Sequence, residues 1–92
     1  MEHAGKHALV TGGGTGIGAG IALALAQAGA EVTITGRRAD KLEEIAASSP
    51  HLHALVMDVD DEVSVREGIA AAAKARGPIQ ICVANAGIAE GG

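Results

Sequence analysis

The chain of 92 residues contains no phenylalanine, tyrosine or tryptophan, and it has one cysteine and two prolines. Its core must therefore be built from alanine, valine, leucine and isoleucine, each of which buries less area than an aromatic side chain. Because small domains already bury a smaller fraction of their surface, this composition hints at a piece of a larger fold. The single Cys82 excludes an internal disulfide, and its apolar neighbours predict a buried small hydrophobe.

Two further absences bear on location and partners. No apolar run approaches the length of a membrane span, and residues 1–6 lack the charged and apolar regions of a signal peptide. We therefore expect a soluble, cytoplasmic protein without a membrane partner. The net charge is −4 and the seven basic residues are spread along the chain, which argues against nucleic acid as the main partner.

The glycine-rich stretch at residues 11–18, Thr-Gly-Gly-Gly-Thr-Gly-Ile-Gly, is the most informative part of the sequence. A short apolar run precedes it, and an alanine-rich run at residues 19–28 follows it. A strand, a glycine-rich turn and a helix in this order are the context of a dinucleotide site. Glycine lets a ligand approach the backbone closely, and the N–H groups at a helix N-terminus suit a pyrophosphate. A flexible linker is the alternative, but linkers are not flanked so tightly by an apolar strand and a helix.

The spacing of these glycines distinguishes the stretch from two other glycine-rich motifs that bind nucleotides. Gly12, Gly16 and Gly18 give G-x-x-x-G-x-G, which is neither the G-x-G-x-x-G fingerprint nor a P-loop, because Ala19 stands where a P-loop has lysine. The stretch resembles the cofactor-binding motif of the short-chain dehydrogenase/reductase family. The resemblance implies a Rossmann-type fold and nicotinamide-dependent hydride transfer to or from a carbonyl or secondary alcohol, as in 3-oxoacyl reductases. It also implies a homo-oligomer for the complete enzyme.

Apolar runs and their glycine and proline boundaries predict an α/β fold. The predicted strands cover residues 7–11, 31–35, 52–57 and 79–84, and the predicted helices cover residues 16–28, 40–47 and 62–76. We expect Gly29 to end the first helix, Asp40 to cap the second, and Asp60 or Asp61 to cap the third. Alternation of strands and helices predicts a doubly wound parallel sheet in the order 3-2-1-4, with a ligand site between strands one and four.

Two short motifs at strand ends extend the resemblance. Asn85-Ala86-Gly87 matches a family motif that stabilises the sheet and borders the cofactor, although an ordinary turn is the alternative. Asp58-Val59 matches a family pair that contacts the adenine, and the alternative is that Asp58 only starts a turn. The full set of predicted cofactor-binding residues is Gly12, Gly14, Thr15, Gly16, Ile17, Gly18, Arg37, Arg38, Asp58, Val59, Asn85, Ala86 and Gly87.

The end of the second strand predicts the form of the cofactor. An acidic residue there would bind a ribose 2′-OH and repel a 2′-phosphate, but the place is held by Gly36, followed by Arg37 and Arg38. A guanidinium can hold a phosphate through two hydrogen bonds. NADP is therefore the predicted cofactor, with NAD as the alternative. Family members that prefer NADP often carry a second basic residue before the middle glycine, where this chain has Thr15.

Histidines and carboxylates do not predict a metal site. Four histidines lie near the starts of strands one and three, but strand two lies between those strands, so a tight cluster would need bent loops. The acidic residues at 58 and 60–62 lack the spacing of a calcium-binding loop. They are better interpreted as turn and helix-cap residues.

The chemistry that the resemblance implies needs a Tyr-x-x-x-Lys pair and a serine, and this chain has no tyrosine. No catalytic residue is therefore predicted within it. We expect residues 1–92 to form the N-terminal, cofactor-binding Rossmann portion of a longer reductase. The alternative is a stand-alone dinucleotide-binding or regulatory module without catalytic activity.

Overall fold

In a computed structural model, the chain is described at residues 5–12 and 16–84. Strands and helices alternate along these residues, as the sequence predicts. The elements are β1 (His7–Thr11), α1 (Gly16–Gln27), β2 (Glu31–Gly36), α2 (Ala39–Ala46), β3 (Leu52–Val56), α3 (Glu62–Arg76) and β4 (Ile81–Ala84). No helix in the described part of the chain is long and apolar enough to cross a bilayer.

The four strands form one parallel sheet in the order β3-β2-β1-β4, so the predicted order 3-2-1-4 is confirmed. Leu9 of β1 lies opposite Thr33 of β2 on one side and Cys82 of β4 on the other. Because all neighbouring pairs are parallel, the carboxyl ends of the strands meet at one edge of the sheet. Thr11 at the end of β1 lies opposite Ala84 at the end of β4 at that edge.

One face of the sheet carries the larger part of the described core. Side chains from β1, β2 and β3 alternate onto this face and meet small residues of α1 and the leucine of α2. The fully or nearly fully buried members are Ala8, Val10, Ala22, Ala26, Ala30, Val32, Ile34, Leu42 and Leu52. Alanines on the inner side of α1 let the helix lie close to the sheet, which suits a core without aromatic residues.

The other face of the sheet is partly covered by α3. A Cβ atom placed on Gly68 would lie 2.7 Å from the sulfur of Met57, so glycine permits the close approach of α3 at this point. Met57 is buried, whereas Ile69 and Val63 of α3 remain 39% and 54% exposed. Helix α3 packs on the β3 side of the sheet, and among the described residues Cys82 of β4 stays exposed.

Two of the three predicted helix caps are present in the structure, and the third prediction needs correction. Gly29 has φ +99°, and the N–H of Ala30 donates to the carbonyl of Leu25 at 3.1 Å, so the predicted glycine C-cap is confirmed. Asp61 caps α3, because its carboxylate accepts from the N–H groups of Val63 and Ser64. The prediction for Asp40 was wrong. Helix α2 begins at Ala39 and places Asp40 inside its first turn, where the carboxylate faces the helix dipole.

The predictions for Cys82 and for the start of β4 also need correction. Cys82 is exposed, because it lies on the face of β4 that α3 does not cover. Strand β4 begins at Ile81, two residues later than predicted. Gln80 precedes it and is joined to His7, whose N–H donates to the Gln80 side-chain oxygen at 3.2 Å.

Candidate functional site

The carboxyl edge of the sheet brings together three of the predicted segments. Gly12 follows β1, Arg37 follows β2 and Asp58 comes two residues after β3. Strand pairing sets their proximity, since Thr11 lies opposite Thr35 and Gly36 lies opposite Val56. The chain therefore gathers glycine backbone, a guanidinium and a carboxylate at one edge.

Three glycines of the glycine-rich stretch, Gly12, Gly16 and Gly18, lie among the described residues. Gly12 has φ +73°, a conformation that glycine adopts without the strain of a side chain. Gly18 is buried in the first turn of α1. A Cβ atom placed on Gly16 would meet no heavy atom within 4 Å, so the backbone there faces open space. Gly14 and Thr15 lie outside the described residues, as do Asn85, Ala86 and Gly87.

Two apolar side chains of the predicted site are exposed. Ile17, in the first turn of α1, is 61% exposed, and Val59, which follows β3, is 40% exposed. Burial of such side chains against a flat ligand surface is favourable. Their exposure leaves apolar surface available for a contact at this edge.

Arg37 lies between two carboxylates. Its Nη2 atom is 3.4 Å from Oδ2 of Asp60, and its Nε atom is 3.8 Å from Oδ1 of Asp58. The sequence predicts Asp60 as a turn or helix-cap residue, and its contact with Arg37 was not predicted. The predicted strand order could have indicated this contact, because residues that follow neighbouring parallel strands lie at the same edge of the sheet.

The turn after β3 holds these carboxylates in place. The N–H of Asp60 donates to Oδ1 of Asp58 at 3.0 Å, and the N–H of Asp58 donates to the Ser64 hydroxyl at 3.0 Å. Asp58 is thus both a turn-forming residue and a neighbour of Arg37. The turn that the sequence offers as the alternative for Asp58 is present, and its contact with adenine stays a prediction.

Arg38 is also engaged with a carboxylate. Its Nη2 atom lies 3.2 Å from Oδ2 of Asp40. The hydrogen bond from Arg38 lowers the pKa of the Asp40 carboxyl. Both arginines of the predicted site therefore have acidic neighbours from their own chain, and a bound phosphate would have to compete with them.

An apolar groove runs along the open face of the sheet beside this edge. It is lined by residues of β1, β4, α3 and the segment after β3, and it has a volume of about 340 Å³. The lining residues are Leu9, Thr11, Met57, Val59, Val65, Ile69, Cys82 and Ala84. Exposure of Cys82 and Ile69 follows from their position on this groove.

Two histidines meet a carboxylate at the opposite edge of the sheet. Nδ1 of His51 is 2.6 Å from Oε2 of Glu31, and Nε2 of His53 is 2.7 Å from Oε1 of the same residue. Hydrogen bonds from His53 and then His51 lower the pKa of Glu31. The His7 ring contacts the carbonyl oxygen of Gly77 and does not join this pair. His3 lies outside the described residues. Among residues 5–12 and 16–84, no three metal-ligating side chains form a group that could hold a metal ion.

Comparison with known proteins identifies the family. A sequence model for the short chain dehydrogenase family matches residues 6–92. The chain belongs to this family. Members of this family bind NAD or NADP, and the sheet order is that expected of its Rossmann-type fold.

Individual relatives agree with this assignment. The chain is 42% identical over 89 residues to a gluconate 5-dehydrogenase from Gluconobacter oxydans (strain 621H), an alignment that covers 92% of this chain and 35% of the relative. It is 44% identical over 93 residues to a probable oxidoreductase from Streptomyces lividans, with 96% of this chain and 30% of the relative covered. The chain thus spans about a third of the length of these relatives.

A solved structure gives the same result for the fold. A 3-ketoacyl-(acyl-carrier-protein) reductase from Brucella melitensis, complexed with NADH, superimposes with a TM-score of 0.82 at 34% identity. The superposition covers 86% of this chain and 33% of that structure. The fold of the described residues is therefore that of a short-chain dehydrogenase.

Proposed function

We propose that this chain is the dinucleotide-binding portion of an oxidoreductase that binds NADP(H), with NAD(H) as the alternative cofactor. The observation that carries the proposal is the turn after β1. Gly12 adopts a positive φ there, and the backbone at Gly16 opens onto free space at the carboxyl edge of the sheet. Such a turn at a helix N-terminus is suited to a pyrophosphate.

The described residues fit a dinucleotide in their chemistry. The backbone of the Gly12 turn and the start of α1 would hold the pyrophosphate. Asp58 offers a carboxylate acceptor for an adenine amino group, and Val59 and Ile17 offer exposed apolar surface. When bound, the nicotinamide supplies a site that donates or accepts hydride. The predicted roles of Gly14, Thr15, Asn85, Ala86 and Gly87 remain predictions, as do those of the described residues.

NADP(H) is favoured over NAD(H) by the residues that follow β2. Gly36 provides no carboxylate for a ribose 2′-OH, and Arg37 provides a planar fork that can bind a phosphate. The carboxylates of Asp58 and Asp60 beside Arg37 reduce this preference. We therefore expect a preference for NADP(H) that is measurable and not absolute.

The reaction that we propose is hydride transfer between the nicotinamide and a carbonyl or secondary alcohol. The support comes from relatives that carry the names gluconate 5-dehydrogenase and 3-ketoacyl-(acyl-carrier-protein) reductase. Because the chain has no tyrosine, the phenol that the family uses for proton transfer would come from residues outside these 92. A non-catalytic dinucleotide-binding module is the second candidate, and the same absence of tyrosine favours it.

The glycine turn can be tested by calorimetric titration of the chain with NADPH and NADH. We expect Gly16→Val to abolish binding of both, because the valine side chain would fill the approach to the backbone. Gly20→Val is the matched control. Gly20 also lies on α1 with no heavy atom within 4 Å of a built Cβ, but it is one turn away from the site. Unchanged affinity in Gly16→Val would refute the site.

The phosphate role of Arg37 has its own test. We expect Arg37→Ala to weaken binding of NADPH far more than binding of NADH. Arg66→Ala is the control, because it removes an arginine from α3 that is 73% exposed, against 66% for Arg37, and that faces Glu62. Equal losses for the two dinucleotides in Arg37→Ala would exclude Arg37 as the 2′-phosphate ligand.

A further inference from the structure

We propose that Asp60 is a specificity-determining residue, which competes with the 2′-phosphate of NADP(H) for the guanidinium of Arg37. This inference rests on the proposed function and adds to it a residue outside the predicted site. In the described part of the chain, Arg37 is the side-chain partner of the Asp60 carboxylate, at 3.4 Å from Nη2 to Oδ2.

The contact lies where a phosphate would need the arginine. A guanidinium binds phosphate most strongly when two of its N–H groups point at two oxygens. In this chain Nη2 is directed to Asp60 and Nε lies 3.8 Å from Asp58. Binding of the 2′-phosphate therefore requires Arg37 to leave Asp60, or to bind the phosphate beside a carboxylate of the same sign.

The position of Asp60 is set by the backbone. Its N–H is held by Oδ1 of Asp58, and the next residue, Asp61, is the N-cap of α3. The turn thus places the backbone of Asp60 within reach of the Arg37 guanidinium. Its side chain is 76% exposed, so it also faces the solvent from which the dinucleotide arrives.

The effect of the Asp60 charge can be measured separately from that of the neighbouring Asp58. Asp58 forms the turn through its contact with the Asp60 N–H, so its removal would disturb the loop as well as the charge. The side chain of Asp60 makes no such backbone contact among the described residues. Substitution to asparagine keeps its size and removes its charge alone.

The test is calorimetric titration of Asp60→Asn with NADPH and with NADH at low ionic strength. We expect the Kd for NADPH to fall about two- to five-fold, the range set by loss of one exposed ion pair. The Kd for NADH should stay unchanged, since NADH has no 2′-phosphate. An unchanged or raised Kd for NADPH would overturn the inference.

Glu62→Gln is the matched control. It removes the same charge two residues along the chain, and its side chain is 89% exposed and lies 3.9 Å from Arg66, not near Arg37. We expect both dinucleotides to bind Glu62→Gln as they bind the wild type. An equal gain in Glu62→Gln would show a general effect of charge and would refute a specific role of Asp60.

A double variant distinguishes failure of this inference from failure of the proposed function. In the Arg37→Ala background, Asp60→Asn should no longer change the Kd for NADPH, because the competitor acts through Arg37. If Arg37→Ala loses NADPH selectively while Asp60→Asn has no effect, only the role of Asp60 is refuted. If Arg37→Ala weakens both dinucleotides equally, the 2′-phosphate role of Arg37 fails together with this inference, while dinucleotide binding stands. If neither dinucleotide binds the wild type, the proposed function fails as well.

Discussion

The imidazole of His7 and the hydroxyl of Thr33 lie 2.8 Å apart on neighbouring strands, both almost fully buried. Nδ1 of His7 lies 2.8 Å from the carbonyl oxygen of Gly77, so Nδ1 must carry the proton. In the neutral ring, Nε2 is then the acceptor for the Thr33 hydroxyl. Two residues further along β2, Thr35 is also buried on the same face, and its hydroxyl finds no partner among the described residues.

These two threonines should respond oppositely to replacement by valine. Thr33→Val leaves Nε2 of His7 buried without a donor, and we expect a loss of about 1–3 kcal/mol in the free energy of unfolding. Thr35→Val removes a buried hydroxyl that has no partner, and we expect a gain of about 1 kcal/mol. Urea unfolding followed by far-ultraviolet circular dichroism measures both changes, since the chain has no aromatic residues whose fluorescence could follow unfolding. Loss of stability in Thr35→Val would contradict an unpartnered Thr35 hydroxyl, and unchanged stability in Thr33→Val would contradict its pairing with His7.

The order of elements could be predicted because its signals are local. Apolar runs bounded by glycine or proline mark the strands, and Gly29 and Asp61 act at the positions where their chemistry places them. Asp40 shows the limit of local reasoning. A carboxylate in a first turn also suits the helix dipole, so Asp40 is compatible both with an N-cap and with a helix that starts at Ala39, two residues before the start that an Asp40 cap would give.

Contacts between distant residues were harder to predict. Cys82 has the apolar neighbours of a buried residue, but its burial depends on what covers one face of β4, and α3 lies elsewhere. Asp60 and Glu31 gained their partners from neighbouring strands, through Arg37 in one case and through His51 and His53 in the other. Strand order predicts that such residues lie near each other, but side-chain direction decides which of them make contact.

Acid stability should depend on Glu31. Hydrogen bonds from His53 and His51 lower its pKa in the folded chain from the ordinary value of 4.5. A carboxyl with a lowered pKa stabilises the fold above its unfolded pKa, and this contribution is lost as the pH falls below about 4.5 through the folded value. Because the side chain is 38% exposed, we expect a contribution below about 1 kcal/mol.

Glu31→Gln tests this dependence through the free energy of unfolding measured between pH 3 and 7. We expect the variant to lose less stability than the wild type as the pH falls below 4.5, the ordinary pKa of this carboxyl. Glu67→Gln, on the exposed side of α3, is the control. It should lose stability at low pH to the same extent as the wild type. Parallel pH profiles for Glu31→Gln and the wild type would show that the histidine contacts do not favour the ionised carboxylate.

Gly68 and Gly20 should respond differently to alanine. Both lie inside helices, where alanine is favoured over glycine by about 1 kcal/mol. At Gly20 the new methyl group meets open space, so we expect a gain of about 0.4–1 kcal/mol. At Gly68 it would lie 2.7 Å from the sulfur and 3.1 Å from Cγ of the buried Met57. We expect overpacking to outweigh the helix preference and to destabilise Gly68→Ala by about 1 kcal/mol. Equal gains in the two variants would show that Met57 moves aside freely.

Substitutions of Asp61, the N-cap of α3, can distinguish the contribution of its hydrogen bonds from that of its charge. Oδ1 of Asp61 lies 3.0 Å from the N–H nitrogen of Val63 and 3.4 Å from that of Ser64. We expect Asp61→Ala to lower the free energy of unfolding by about 0.5–2 kcal/mol, because these N–H groups lose their acceptor. Asp61→Asn keeps an oxygen in the same place and should lose little, since asparagine is an equally good N-cap. If Asp61→Asn loses as much as Asp61→Ala, the cap acts through its charge on the helix dipole and not through the hydrogen bonds. Thermal unfolding of the two variants at low and high salt decides between these outcomes, because salt screens the dipole interaction.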